Sequence, residues 1–257
     1  VHRVRIATEG RRKFGVPPGG PFDTDAARLA NVLVGQPVGA AVWELALASA
    51  TFVAEADGFI AAVGATASFT VGSSGGTTNA VRRVRAGESV TIGMPSEGCR
   101  VYCQWSAIGR EGRIDYSPVP RAYVNVIEGP DAQLFPRGWP DMIHLSPLMN
   151  RVGIRTRSDE TLVHDLKLPS KPQVVGSGQV TPKGELIIIG PDGPVTGGYP
   201  QILAVARESL PAVAQWTLGQ AIRLQTVSVE AARELWQRKE ALILDRLKEI
   251  RAGLATP

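Results

Sequence analysis

Phe59-Ile-Ala-Ala-Val63 and Ala67-Ser-Phe-Thr-Val71, closed by Gly72-Ser-Ser-Gly-Gly-Thr-Thr78, decide how this chain is read. Each apolar run is too short for a stable helix, and a Gly/Ser cluster stops the second, so both read as strands. The same rhythm extends outward. Apolar runs at 42–47 and 51–54 precede the pair, and runs at 89–93 and 100–105 follow it, at intervals of about ten residues. Residues 4–7 add a strand at the start. Regular short strands with turns between them indicate a barrel or a sandwich.

Two segments break the pattern. Residues 25–34 place Ala26, Leu29, Ala30, Leu33 and Val34 at helical spacing, with Asp23 or Thr24 as cap and Gly35 as stop. Residues 229–251, capped by Ser228, put Ala232, Trp236, Ile243, Leu247 and Ile250 on one apolar stripe. A second strand set reads at 122–127, Leu186–Ile189, 202–206 and Ala221–Thr226. The expected fold is mainly β (β-rich α+β), with one short N-terminal helix and one long C-terminal helix. The polar stretch 109–121 marks a boundary, dividing the chain into 1–121, 122–227 and a helical tail 228–257.

Composition removes several function classes. Lys+Arg number 28 against 24 Asp+Glu, and the net charge of +4 is scattered, without the clustering that nucleic-acid binding requires. No apolar run approaches the roughly 20 residues of a membrane span, and the N-terminus has no leader pattern, so a cytoplasmic protein is expected. Cys99 and Cys103 fall on one face of a strand, two pleats apart, and read as small buried hydrophobes in a reducing compartment. His2, His144 and His164 are widely separated, so no metal site is expected. P-loop, Rossmann, nucleophile-elbow and zincin motifs are absent from the sequence.

Two Gly-dense loops remain as candidates. Gly15-Val-Pro-Pro-Gly-Gly-Pro-Phe-Asp23 combines fixed and free φ angles, so Gly19 and Gly20 offer bare backbone N–H groups while Asp23 sits at a helix start. It reads either as a cradle for a carboxylate or amide, or as a plain helix-entry loop capped by Asp23. The second, Asp192-Gly-Pro-Val-Thr-Gly-Gly-Tyr-Pro200, puts Asp192, Thr196, Gly197, Gly198 and Tyr199 within eight positions. It reads as the wall of a small polar pocket, or as a tight strand connection.

Taken in order, these segments resemble one family. Gly10-Arg11, Gly15-Val16-Pro17, Gly19, Asp23, Leu29-Ala-Asn-Val-Leu-Val-Gly35, Ala40-Ala41 and Glu44-Leu45 are similar to the N-terminal signature of allophanate hydrolase subunit 2. That family includes the C-subunit of 5-oxoprolinase, the kinase-inhibitor antagonist and the carboxyltransferase-related region of urea carboxylase. Asn150-Arg-Val-Gly153, Asp192, Thr196–Pro200, Leu210-Pro211, Ala214-Gln215 and Gly219 continue the resemblance. Four departures stand out. Thr8 replaces an Asp, the Arg and Gln expected after Asp192 are Gly193 and Pro194, a Gly/Ser-rich stretch beyond residue 105 is missing, and a strand of the family is shortened to Gly176-Ser-Gly-Gln-Val-Thr-Pro182.

The resemblance implies cyclophilin-like β-barrel halves and a subunit-1-like partner in a heteromeric complex. It implies hydrolysis of a small amide, lactam or urea derivative, 5-oxoproline to L-glutamate first among them. ATP is used by the complex, and no cofactor is expected on this chain itself. Asp23 and Asp192 are the expected catalytic carboxylates. Gly19, Gly20, Arg151, Thr196, Gly197, Gly198 and Tyr199 are expected to bind substrate, with Arg151 as an anion clamp. The alternatives are an inactive partner that sequesters subunit 1, or a carboxyltransferase module acting on urea; the latter lacks a biotinyl domain in this sequence.

Overall fold

The computed structural model describes residues 1–5, 9–116, 123–158 and 162–255, and its strands fall into two separate sets. The chain forms two units: Val1–Ile6 with Asp23–Pro120 and Glu240–Pro257, and Ala7–Phe22 with Arg121–Lys239. The expected boundary at 121/122, and the end of the strand expected at 4–7, lie outside the described residues.

The first unit contains β1 (His2–Val4), α1 (Thr24–Leu33), β2 (Val42–Ala46), β3 (Ala50–Val53), β4 (Gly58–Thr66), β5 (Phe69–Val71), β6 (Ala80–Val84), β7 (Ser89–Ile92), β8 (Glu97–Ser106) and β9 (Gly112–Arg113). Its six-stranded sheet runs β1-β2-β8-β4-β6-β9, and a three-stranded sheet runs β3-β7-β5. At the centre, β4 pairs β8, and both its faces are apolar because both are covered. Ala61 and Val63 join Tyr102 and the α1 residues Ala26, Leu29 and Ala30 in one core. The alternate residues Ile60 and Ala62 join Val101, Cys103, Phe69, Val90 and Ile92 in another. The two-residue period therefore gives one strand two cores. The small residues of α1 let the helix sit close to the sheet, and Gly35 at φ +69° ends it as expected.

Strand β6 escaped the sequence reading because Arg82 and Arg83 interrupt its alternation. Arg82 is held at 5.4 Å over the Phe69 ring and donates to Ser74 O and Gly75 O. Its stem covers apolar surface while its charge meets carbonyls.

The second unit contains β10 (Tyr123–Glu128), β11 (Met142–Met149), β12 (Gly153–Arg157), β13 (Lys171–Pro172), β14 (Ser177–Val180), β15 (Leu186–Ile189), β16 (Thr196–Gly197), β17 (Gln201–Val205), α2 (Leu210–Ala214) and β18 (Ala221–Thr226). Seven of these close a barrel in the order β10-β17-β14-β15-β12-β11-β18, sealed by the parallel pair β10–β18. Its core packs Val124, Ile143, Ile154, Ile188, Ile202 and Trp216. The last helix, α3 (Val229–Ala255), is capped as expected by Ser228 Oγ, which accepts from Ala231 N at 3.1 Å. Of its stripe, Trp236 lies 4.5 Å beneath the Arg207 guanidinium. Ile243, Leu247 and Ile250 pack into the α1 core. The β-rich fold, the short N-terminal helix and the long C-terminal helix are as expected, and α2 adds a third helix.

One irregularity is maintained by a side chain. The β4–β8 register shifts between Gly64 and Thr66, where Gly64 has φ +128° and a Cβ would collide with the Arg100 carbonyl. The buried Asn79 amide stitches this bulge, donating to Gly64 O at 3.1 Å and accepting from Gly64 N at 2.9 Å. Asn79 itself has φ +61°, a conformation Asn tolerates better than most residues. Asn79→Gly should lose the two buried bonds and cost about 2 kcal/mol, and Asn79→Ala about 1 kcal/mol more for the backbone. Urea titration of both variants checks the order, and an Asn79→Gly variant as stable as the parent would refute it.

Candidate functional site

The Gly/Pro loop is fixed to the second unit at several points. Phe22 is buried in the barrel core. Gly19 N donates to Pro191 O at 2.8 Å, and Arg12 donates to the Gln173 carbonyl. Gly19 and Gly20, at φ +64° and +83°, let the chain turn where a side chain would be strained. The two loops singled out in the sequence thus meet, with Asp192 Oδ1 lying 3.9 Å from where a Gly19 Cβ would stand.

The meeting point is organised by Arg151. Its side chain is 9% exposed; Nε donates to Asp192 Oδ2 at 2.7 Å, and one terminal nitrogen donates to Oδ1 at 2.9 Å and to Gly20 O at 2.6 Å. The Asp192 N–H returns to Arg151 O at 3.0 Å, so backbone and side chain close the same pair. The fork geometry suits guanidinium, which presents parallel donors to a carboxylate. Asp192 keeps 41% of its side chain exposed, so the pair has one wet edge. Expected as an anion clamp, Arg151 is engaged with Asp192 and Gly20 O through Nε and one terminal nitrogen.

Thr196 and Gly197 form β16, paired with Lys171 and Pro172 of β13. Behind them lie Gln173, Gln179 and Gln201, all buried. With its amide oriented to satisfy both ends, Gln173 accepts from Gly197 N at 2.9 Å and from Gln179, and donates to Pro194 O at 3.3 Å. A Cβ on Gly197 would strike Gln173, and one on Gly198 would stand 3.1 Å from Leu168 O. Gly197 is therefore required while Gln173 keeps its place, and Gly198 leaves only a tight fit for a side chain. Thr196 is exposed, and Tyr199 is 45% exposed. Gln173 and Gln179 were missed in the sequence; the signal was a Gln at an inward position of the short strand Ser177-Gly-Gln-Val180, where a buried amide must find partners.

Asp23 belongs to the first unit and is fully buried. It caps α1, accepting from Ala26 N at 3.0 Å, and Tyr116 Oη donates to its carboxylate at 2.8 Å. Its own N–H donates to Tyr102 Oη at 2.8 Å, and Tyr102 donates to the buried Glu44 at 2.7 Å. Arg100 stands 3.6 Å from Glu44. Asp23 thus occupies the capping role that was one of its two readings. His164 accepts from Leu166 N at Nδ1 and faces Val180 O with Nε2, a structural arrangement. Cys99 and Cys103 are buried free thiols, and burial raises both above the ordinary range. Among the described residues, no three His, Cys, Asp or Glu side chains converge as a metal site. Among the same residues, no helix is long and apolar enough to cross a membrane.

Two measurements follow from these networks. Burial, and then the neighbouring carboxylates, raise the Tyr102 and Tyr116 phenols well above the ordinary value. Above about pH 10 the unfolded phenols lose protons that the folded ones keep, so stability falls as pH rises. Tyr102→Phe should flatten that fall between about pH 9 and pH 11, read from urea midpoints. Separately, Asp192→Ala leaves Arg151 buried without its carboxylate and should cost about 2 kcal/mol. Arg151→Met with Asp192→Ala should recover part of that loss, and a double variant less stable than Asp192→Ala would contradict this account.

Comparison with known proteins agrees with this architecture. The family model for the carboxyltransferase domain, subdomain A and B, matches residues 14–108 and 106–226. The C-subunit of 5-oxoprolinase from Escherichia coli (strain K12) is 27% identical over 269 residues, spanning 87% of this chain and 87% of that protein. Its counterpart from Haemophilus influenzae is 33% identical over 144 residues, 53% of this chain and 46% of the relative, so the match spans about half of each. Among solved structures, TTHA0988 aligns with a TM-score of 0.77 at 21% identity, over 87% of this chain and 53% of that one. Kluyveromyces lactis urea amidolyase aligns with a TM-score of 0.81 at 22% identity, over 95% of this chain and 19% of that one. At such identities the structural likeness establishes the fold. The matched family model, together with similarity along most of the Escherichia coli protein, shows that this chain belongs to the carboxyltransferase-domain family that includes the C-subunit of 5-oxoprolinase and allophanate hydrolase subunit 2.

Proposed function

We propose that this protein is a subunit of a 5-oxoprolinase-type complex, acting with a subunit-1-like partner in the ATP-dependent opening of a small lactam, 5-oxoproline first. The observation that carries the reading is the junction of the two loops bearing the family resemblance, closed by Gly19 N to Pro191 O and by Arg151 to Gly20 O. Lactam hydrolysis needs carbonyl polarisation, a positioned nucleophile and a proton for the departing nitrogen. The groups available to solvent here are the Asp192 carboxylate edge, the Thr196 hydroxyl and the Tyr199 phenol. In this reading Arg151 is a positioning residue that orients Asp192, while Thr196 and Tyr199 donate to substrate oxygen or nitrogen.

A second reading, an inactive partner that sequesters subunit 1, is favoured by one observation. Arg151 is engaged with Asp192, and the Arg and Gln of the family pattern are Gly193 and Pro194 here, so the spare guanidinium and amide are missing. Co-purification with the subunit-1-like partner, followed by an assay of ATP-dependent glutamate release from 5-oxoproline with any further subunit of the complex supplied, separates the readings. The hydrolase reading expects glutamate release that falls at least about tenfold in Thr196→Ala and Tyr199→Phe, with urea midpoints unchanged. A stable complex releasing no glutamate sinks it and leaves sequestration.

A further inference from the structure

A concave feature lies wholly within the first unit and is independent of the loop junction. It is a cleft of about 950 Å³ between the face of the six-stranded sheet and strand β3. That volume falls in the range of small-molecule sites. Its floor follows from strand register. Trp43 pairs Cys103 across β2 and β8, so Trp43 and Trp105 are diagonal neighbours on one face. Trp105 in turn pairs Ile60 of β4. The wall is Phe52 and Val53 of β3.

The aromatic groups are only partly covered. Trp43 is 47%, Trp105 42% and Phe52 38% exposed, a concentration of large rings that neither neighbouring core absorbs. Exposed indoles in a concave apolar site offer flat, polarisable surface at little entropic cost to a bound ring. Cys103 on the floor is held as a neutral thiol by burial, so the floor carries no charge.

Charge enters at the ends. Arg3 pairs Trp43 in the sheet and holds its guanidinium 5.8 Å from the indole centroid. Among the described residues Arg3 has no carboxylate partner. Glu55 lines the cleft beyond β3, on the β4 side. Since β1 and β4 are three strand spacings apart, about 14 Å separates the basic end from that side. An anion is therefore favoured at the Arg3 end, and a second anionic group is opposed at the Glu55 end.

We propose that this cleft binds a small organic monocarboxylate with a flat apolar body, the body lying over Trp43 and Trp105 and the carboxylate on Arg3. Titration calorimetry of the full chain with 2-naphthoate tests this, with 2-naphthylmethylamine as the cationic counterpart. The expected result is one naphthoate per chain, at least about tenfold weaker in Trp43→Ala and Trp105→Ala, and several-fold weaker in Arg3→Gln. The amine should bind more weakly than naphthoate, and the preference should shrink in Arg3→Gln. Both indoles are exposed, so unchanged thermal midpoints establish that the variants fold. Three outcomes overturn the proposal: no naphthoate binding at millimolar concentration, binding indifferent to both Trp variants, or the amine binding as tightly as the acid. A dimer in sedimentation that Trp43→Ala dissociates, with no naphthoate bound, also overturns it, because a second copy then covers the rings.

Discussion

A guanidinium taken out of water must be given partners, and Arg151 obliges the chain around it to supply them. Its fork selects a carboxylate for Nε and one terminal nitrogen, which fixes the orientation of Asp192. The bond to Gly20 O then requires a loop that brings bare backbone close, which the Gly-Gly pair at positive φ provides. Phe22, buried three residues past Gly19, anchors the same loop in the barrel core. The Gly19-Gly20 turn thus serves one buried charge, while Gly197 and Gly198 of the other loop answer to Gln173 and Leu168 O.

The strand rhythm was the most legible feature of the sequence, because runs such as 59–63 bury both faces and need no partner pattern to be recognised. Where a strand carries polar groups the signal failed, and the reasons are specific. Arg82 in β6 covers the Phe69 ring, so a charged residue plays an apolar part. Gln179 in β14 is buried because its amide donates to Gln173, whose oxygen also accepts from Gly197 N, a circumstance set by residues outside the strand. The helix 25–34 was readable to within a residue at each end, since Asp23, the alanines and Gly35 are local signals. At the site, Arg151 and Asp192 were legible as individuals. Their mutual commitment was not, because 41 positions separate them and only the fold makes them neighbours.

Asp23 and Asp192 show why residue type alone did not assign a role. Both are carboxylates beside Gly-rich loops. Asp23 is sealed from solvent by α1, Tyr102 and Tyr116, and each of its bonds holds an element in place. Asp192 faces a guanidinium on one side and water on the other. Several further residues of the family signature share the structural part. Asn31 is buried in α1 and ties Val38 O, Ala40 O and Gln104 together, while Glu44 receives the Tyr102 hydroxyl. The N-terminal signature therefore reports membership chiefly through the way α1 is seated on its sheet. Chemistry has to come from groups that remain available to a substrate. In the proposed reading these are the Asp192 edge, Thr196 and Tyr199 of the second unit, next to Gly193 and Pro194. On that proposal the fold and the reaction draw on different residues: buried capping and core groups seat α1, while solvent-facing groups of the second unit meet the substrate.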